Sequence, residues 1–311
     1  MVTFLFPGQG SQSPGMGKAL CEAFPAARAV FEEADDALGM SLSKLCFEGP
    51  EETLKQTEVT QPAILTTSIA ALKAIRSARP DLKPTYAAGH SLGEFSALVA
   101  ANVMRFTDAV KLVQTRGRLM QEAVPEGRGA MTAIIGLDAD LIAKTCAEVA
   151  KPGATVAPAN FNGPAQTVIS GDADAVEEAG RRLADAGASK VVKLSVSAPF
   201  HCALMQPAAD GLAEALKPIE INRFDFPVVA NVTAEPNTAA DRVKDLLVQQ
   251  VTAPVRWVET VTHLADAGET IALEVGPAKV LAGLGRRIDR RLKTMPTQDP
   301  AALQKALDSL A

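Results

Sequence analysis

The sequence lacks the features that would take it out of the ordinary run of globular proteins. Lys and Arg number 31 against 36 Asp and Glu, a formal charge of −5 with a pI near 5.4. That balance argues against broad attraction to phosphate backbones or anionic membranes, so neither nucleic acid nor a membrane is an expected partner. No stretch approaches the roughly 20 apolar residues of a membrane span. The run Met1 to Gly8 has no basic flank and closes on Pro7-Gly8, which predicts a first strand and not a signal peptide. Cys21, Cys46, Cys146 and Cys202 show no CxxC spacing, so no zinc site and no disulfide scaffold is expected, and a reducing cytoplasm fits. Repeats and low-complexity linkers are missing. Histidine occurs only 3 times, which leaves few candidates for acid–base work.

What is present suits a large core: of 311 residues, 47% are hydrophobic and 22% charged. Helical patterns begin around Met16 and run over 26–38 and 61–78, the latter with Pro62 expected in its first turn. A short buried strand is expected at 85–89, a helix from Leu92 through Met104, and another over 107–123. From Gly129 to Leu194 the order becomes strand, helix, strand, strand, helix, strand, at 130–135, 139–149, 155–159, 167–170, 173–186 and 190–194. That order is the ferredoxin-like unit. Entered after Gly127 and left near Ser197, it reads as an insertion into a larger α/β body. The expected division is therefore a large domain of residues 1–127 and 198–311 and a small domain of residues 128–197. Further elements are expected at 228–231, 242–251, 257–267 and 270–274, followed by closing helices.

The sharpest local feature is Gly89-His90-Ser91-Leu92-Gly93, a GxSxG between a short apolar strand and a helix. In that context the pattern is a nucleophile elbow, with the serine hydroxyl pushed above the sheet and helix N–H groups beside it. Composition alone would produce GxSxG in such a chain about one time in ten, so the setting adds what the pentapeptide lacks. A helix-capping serine after a glycine turn is the bland alternative. The hydroxyl needs a base. His90 adjoins the serine, where neighbouring side chains diverge; His263 falls in a helical pattern; His201 follows the loop-like Ser197-Ala198-Pro199-Phe200 and is the best candidate. No Asp or Glu stands out as a third member of a triad.

Pro7-Gly8-Gln9-Gly10-Ser11-Gln12, Thr60-Gln61-Pro62-Ala63, Gly89-His90-Ser91-Leu92-Gly93-Glu94, Arg116-Gly117, Phe200-His201 and Glu274-Val275-Gly276-Pro277 occur in that order over nearly the whole chain. Together they resemble the malonyl-CoA:acyl carrier protein transacylases. The resemblance implies a large domain like an α/β-hydrolase core with the ferredoxin-like insertion as the other wall of a cleft. It implies ping-pong transfer of malonyl from coenzyme A to the phosphopantetheine thiol of an acyl carrier protein, with no metal or bound cofactor, in a discrete cytoplasmic monomer of fatty acid biosynthesis.

Residue by residue, the resemblance makes Ser91 the acylated nucleophile, His201 its base, and Gln250 the residue whose backbone carbonyl orients that histidine. It makes the backbone N–H groups of Gln9 and Leu92 an oxyanion hole. Arg116 would receive the malonyl carboxylate, a role its planar, permanently charged fork suits, whereas Arg118 reads as a solvated helix charge. Phe200 replaces the small residue of many stand-alone bacterial members and would crowd a branched acyl group. Asn160 and Asn162 would lie on the cleft side of the small domain, in a positional role. Carrier proteins of this pathway are acidic, and the densest basic run for docking one is Arg286-Arg287-Ile288-Asp289-Arg290-Arg291-Leu292-Lys293, in which Arg286 with Arg290 and Arg287 with Arg291 fall four apart, a spacing for shared helical faces; a solvated closing helix is the bland alternative. The rival readings are a serine thioesterase or hydrolase relying on His263, and a docking subunit without catalysis.

Overall fold

A computed structural model describes residues 1–125, 127–196 and 198–310. Its strands are β1 (Val2–Phe6), β2 (Tyr86–Gly89), β3 (Gly129–Ile135), β4 (Val156–Gly163), β5 (Gln166–Asp172), β6 (Lys190–Lys193), β7 (Val228–Val229), β8 (Pro236–Asn237), β9 (Ile271–Glu274) and β10 (Lys293–Pro296). Six of them form a sheet in the order β10-β9-β1-β2-β7-β8, parallel except for the β7–β8 pair. Every residue of β1 is buried, as expected of a central parallel strand covered on both faces. Its alternation feeds two cores. Phe4 and Phe6 pack into the larger one, which also takes the buried residues of the helix Thr57–Ala78. Leu5 faces the other way, toward Ala88, Val229 and Trp257.

The remaining four strands form an antiparallel sheet in the order β4-β5-β3-β6, with the helices Ala139–Val149 and Ala173–Asp185 between strands in sequence. This is the ferredoxin-like arrangement, inserted in an α/β-hydrolase-like body. Its exit at Ser197 lies outside the described residues. The two bodies are joined by backbone: Phe161 N donates to the Val255 carbonyl at 2.9 Å, and Val255 N to the Ala159 carbonyl at 2.9 Å.

Several elements differ from expectation. The long helix starts at Thr57, so Pro62 sits in its second turn, where its missing N–H leaves one intrahelical bond unmade. The helix after the elbow is Gly93–Ala100 and stops short of Met104, because Asn102 takes a left-handed conformation with φ 62°. The helices Leu42–Glu48, Glu51–Leu54 and Gln206–Leu216 and the strands β8 and β10 were not anticipated. The helix carrying Arg286 and Arg287 spans Val280–Ile288 and ends there. Asp289 turns extended and its Oδ1 accepts the Arg291 N–H at 2.9 Å, so Arg290 and Arg291 lie in a turn and share no helical face with the other two.

Candidate active site

The turn from β2 into the helix Gly93–Ala100 is as tight as the glycine spacing demands. A Cβ on Gly89 would stand 1.9 Å from the Gly93 carbonyl carbon, and one on Gly93 would stand 2.0 Å from the Phe6 carbonyl oxygen. Between them Ser91 is held at φ 50°. The Asn231 side chain braces this turn from below: its Oδ1 accepts the Ser91 N–H at 2.7 Å and its Nδ2 donates to the Gly89 carbonyl at 2.6 Å.

His201 Nε2 lies 2.8 Å from Ser91 Oγ. Its Nδ1 faces the carbonyls of Gln250 at 2.9 Å and Ala253 at 3.2 Å. Two acceptors require a proton on Nδ1, which leaves the Nε2 lone pair toward the serine. Both carbonyls belong to the C-terminal end of the helix Val243–Thr252, where partial negative charge favours an imidazolium formed during reaction. At rest the ring is held neutral: burial, and then the Arg116 charge, push its pKa down to about 3 against the pull of those carbonyls. No carboxylate touches His201 among the described residues.

Arg116, on the helix Phe106–Glu122, is only 1% exposed. Its Nη1 donates to Gln61 Oε1 at 2.8 Å, and its Nη2 to Gln250 Oε1 at 2.9 Å and Ser91 Oγ at 3.2 Å. The guanidinium carbon stands 5.4 Å from the Phe95 ring centre. Burial lowers its pKa to about 10, opposed by Glu94, so it stays charged. Among the described residues it has no ion-pair partner, and its Nε has no hydrogen bond. A buried cation held by neutral amides beside a serine hydroxyl has the chemistry to receive an anionic group.

Sequence reasoning did not single out Glu94, Asn231 or Gln61 as site residues. Glu94 is buried, and its Oε2 accepts from Gln250 Nε2 at 2.7 Å and from the Asn231 N–H at 3.1 Å; burial pushes its pKa up to about 7. Its place directly after the elbow, and that of Gln61 in a quoted motif, were available signals. Asn231 had none beyond its position at a strand end.

Ser91, His201 and Arg116 open on a cleft of about 440 Å³ that is also lined by Gln9, Leu92, Asn160 and Phe200. Gln250 lies behind this lining, fully buried. Asn162 does not line the cleft: its Oδ1 lies 2.8 Å from His90 Nε2, and the His90 ring packs beside Trp257. His263 lies elsewhere, with its ring edge-on to Tyr86. Arg287 reaches Gln166 of the small domain at 3.0 Å, and Arg291 is engaged by Asp266 and Asp289. A second hollow, about 500 Å³, lies between the Ala173–Asp185 helix and the β3–β6 edge; among the described residues its lining has no serine, cysteine or histidine and no buried charge, and it stands apart from the chemistry.

The acyl transferase domain family matches this chain over residues 3–300. The malonyl CoA-acyl carrier protein transacylase of Bacillus subtilis strain 168 is 47% identical over 309 residues, covering 99% of this chain and 97% of that protein. That of Escherichia coli K12 is 48% identical over 305 residues, covering 98% of each. A chain of a solved complex between a type II polyketide acyl-carrier protein and its malonyl-transacylase superposes with a TM-score of 0.96 at 48% identity, covering 99% of both. The Coxiella burnetii transacylase superposes with a TM-score of 0.96 at 43% identity, covering 99% of this chain and 97% of that one.

Proposed function

The chain belongs to the acyl transferase domain family, among the malonyl-CoA:acyl carrier protein transacylases, and from that premise we propose how its own residues carry the reaction. It transfers malonyl from malonyl-CoA to the phosphopantetheine thiol of an acyl carrier protein. Ser91 Oγ attacks the thioester carbonyl while His201 Nε2 takes its proton. The N–H groups of Gln9 and Leu92 receive the oxyanion, each donor being worth about 3 to 4 kcal/mol in such sites. The tetrahedral adduct then expels coenzyme A, whose sulfur takes the proton back from His201, and malonyl-Ser91 remains. The carrier thiol repeats these steps in reverse: it loses its proton to His201, attacks the ester, and returns Ser91 as a hydroxyl.

The observation that carries this reading is the convergence of two groups on one hydroxyl. His201 Nε2 stands 2.8 Å and Arg116 Nη2 3.2 Å from Ser91 Oγ, so a base and a carboxylate receptor flank the nucleophile. Malonyl-CoA with its free carboxylate on Arg116 would bring its thioester carbonyl to the serine. Gln250 orients the base through its carbonyl, and Asn160 and Phe200 shape the acyl end of the cleft. Asn162 acts through His90.

We assign the cleft walls to residues 1–127 with 198–311 on one side and 128–197 on the other. We also assign Arg286, Arg287, Arg290 and Arg291 to the surface that meets the acidic carrier, the protein acting as a cytoplasmic monomer. No described helix is long and apolar enough to cross a membrane. The chemistry asks for no metal or bound cofactor, because the thioester is already activated.

The test is intact mass of the protein mixed with malonyl-CoA, beside Ser91→Ala, followed by carrier protein bearing its phosphopantetheine arm. A malonyl adduct absent from the variant and then passed to the carrier is expected. An adduct lost as free malonate without reaching the carrier would instead identify a hydrolase.

A further inference from the structure

We infer that Glu94 is a positioning residue for the choice of acyl donor: through the side chain of Gln250 it holds the Arg116 guanidinium beside Ser91. The inference rests on Arg116 receiving the malonyl carboxylate.

The argument follows from which groups can donate. Arg116 Nη2 donates to Gln250 Oε1 at 2.9 Å, and Gln250 Nε2 donates to Glu94 Oε2 at 2.7 Å. A guanidinium has donors only, the Glu94 Oε2 that also takes the Asn231 N–H is an acceptor, and a primary amide has one end of each kind. The amide of Gln250 therefore has one orientation that satisfies both neighbours. With no acceptor at position 94, that amide could turn over and set its NH2 against Nη2, donor facing donor. The Ser91 carbonyl, 3.0 Å from Gln250 Nε2, would oppose the turn but is a neutral acceptor.

Among the described residues Glu94 is also the one carboxylate whose charge acts appreciably on Arg116, although the two do not touch. Separation by an amide leaves the guanidinium unclaimed for an incoming anion, where a direct ion pair would occupy its fork. The same Oε2 accepts the Asn231 N–H at 3.1 Å, and Asn231 Oδ1 accepts from Ser91 N at 2.7 Å. Glu94 thus ties the anion receptor and the nucleophile turn to a single buried atom.

The role has a signature that a purely structural one lacks. An acyl donor without a free carboxylate, such as acetyl-CoA, needs Ser91 and His201 but makes no use of Arg116. The experiment measures kcat/KM for malonyl-CoA and for acetyl-CoA with holo carrier protein, in the parent enzyme, Glu94→Met, Glu94→Gln and Gln250→Met. Glu94→Met is expected to lower the malonyl-to-acetyl preference about tenfold, the worth of one lost charge-assisted hydrogen bond. Glu94→Gln keeps an oxygen toward Gln250 and should lose less. Gln250→Met keeps the backbone carbonyl for His201 and should lower the preference as Glu94→Met does; it decides the matter if Glu94→Met does not fold.

Equal loss for both donors, or an unchanged preference in Gln250→Met, overturns the inference. A parent enzyme that shows no preference for malonyl-CoA would instead overturn the assignment of Arg116, and the inference with it.

Discussion

Ser91 and His201 both sit on left-handed backbone, at φ 50° and 59°, with Oγ and Nε2 2.8 Å apart. Neither residue type favours that region, so each side chain is presented at a local conformational cost that the surrounding packing sustains.

That cost can be measured where the hydroxyl no longer matters. Ser91→Gly and Ser91→Ala both remove Oγ, and neither should form a malonyl adduct. Glycine adopts positive φ without a Cβ penalty, so Ser91→Gly should be more stable than Ser91→Ala by about 1 kcal/mol in urea unfolding. Equal stabilities would show that the turn is unstrained.

The His201 ring should remain neutral well into acid. Its folded pKa is depressed from 6.5 to about 3, so the neutral form contributes stability that is present above 6.5 and lost as the pH falls toward 3. Imidazole carbon and nitrogen shifts of His201 followed by NMR from pH 8 to 5 should show no titration. A midpoint between 6 and 7 would mean that water or a counter-ion reaches the ring.

Phe200 is 7% exposed and lines the cleft beside His201. Phe200→Ser should admit a branch on the acyl α-carbon and lower the malonyl-to-methylmalonyl ratio of kcat/KM by about tenfold. An unchanged ratio would assign that selection to another part of the cleft.

Among the described residues Arg286 and Arg290 make no ion pair, whereas Arg291 is engaged by Asp266 and Asp289. Reversing the two free charges, Arg286→Glu with Arg290→Glu, should raise KM for the carrier about tenfold and leave KM for malonyl-CoA unchanged. Equal effects on both substrates would place the carrier elsewhere.

Most of this architecture was legible because it is written in local pattern. The small domain could be read from its alternation of strand and helix, and the elbow from a GxSxG whose glycines have no room for a Cβ. His201 could be reached by elimination among three histidines. What escaped depends on distant parts of the chain meeting. Glu94 and Gln250 are 156 residues apart and Ser91 and Asn231 140 apart, and no spacing in one sequence announces such pairs. The arginine run misled for the opposite reason: a four-residue spacing suggested shared helical faces, but the Asp289 side chain captures the Arg291 N–H and ends the helix first.

The backbone bonds that join Ala159 and Phe161 to Val255 tether the strand that carries Asn160, a residue of the cleft lining, to the large body. Ping-pong transfer brings both thiols to the one serine in turn, so coenzyme A must leave before the carrier can react. Between those two visits the acyl group waits alone on Ser91, and the length of that wait sets how much malonate escapes to water in each cycle.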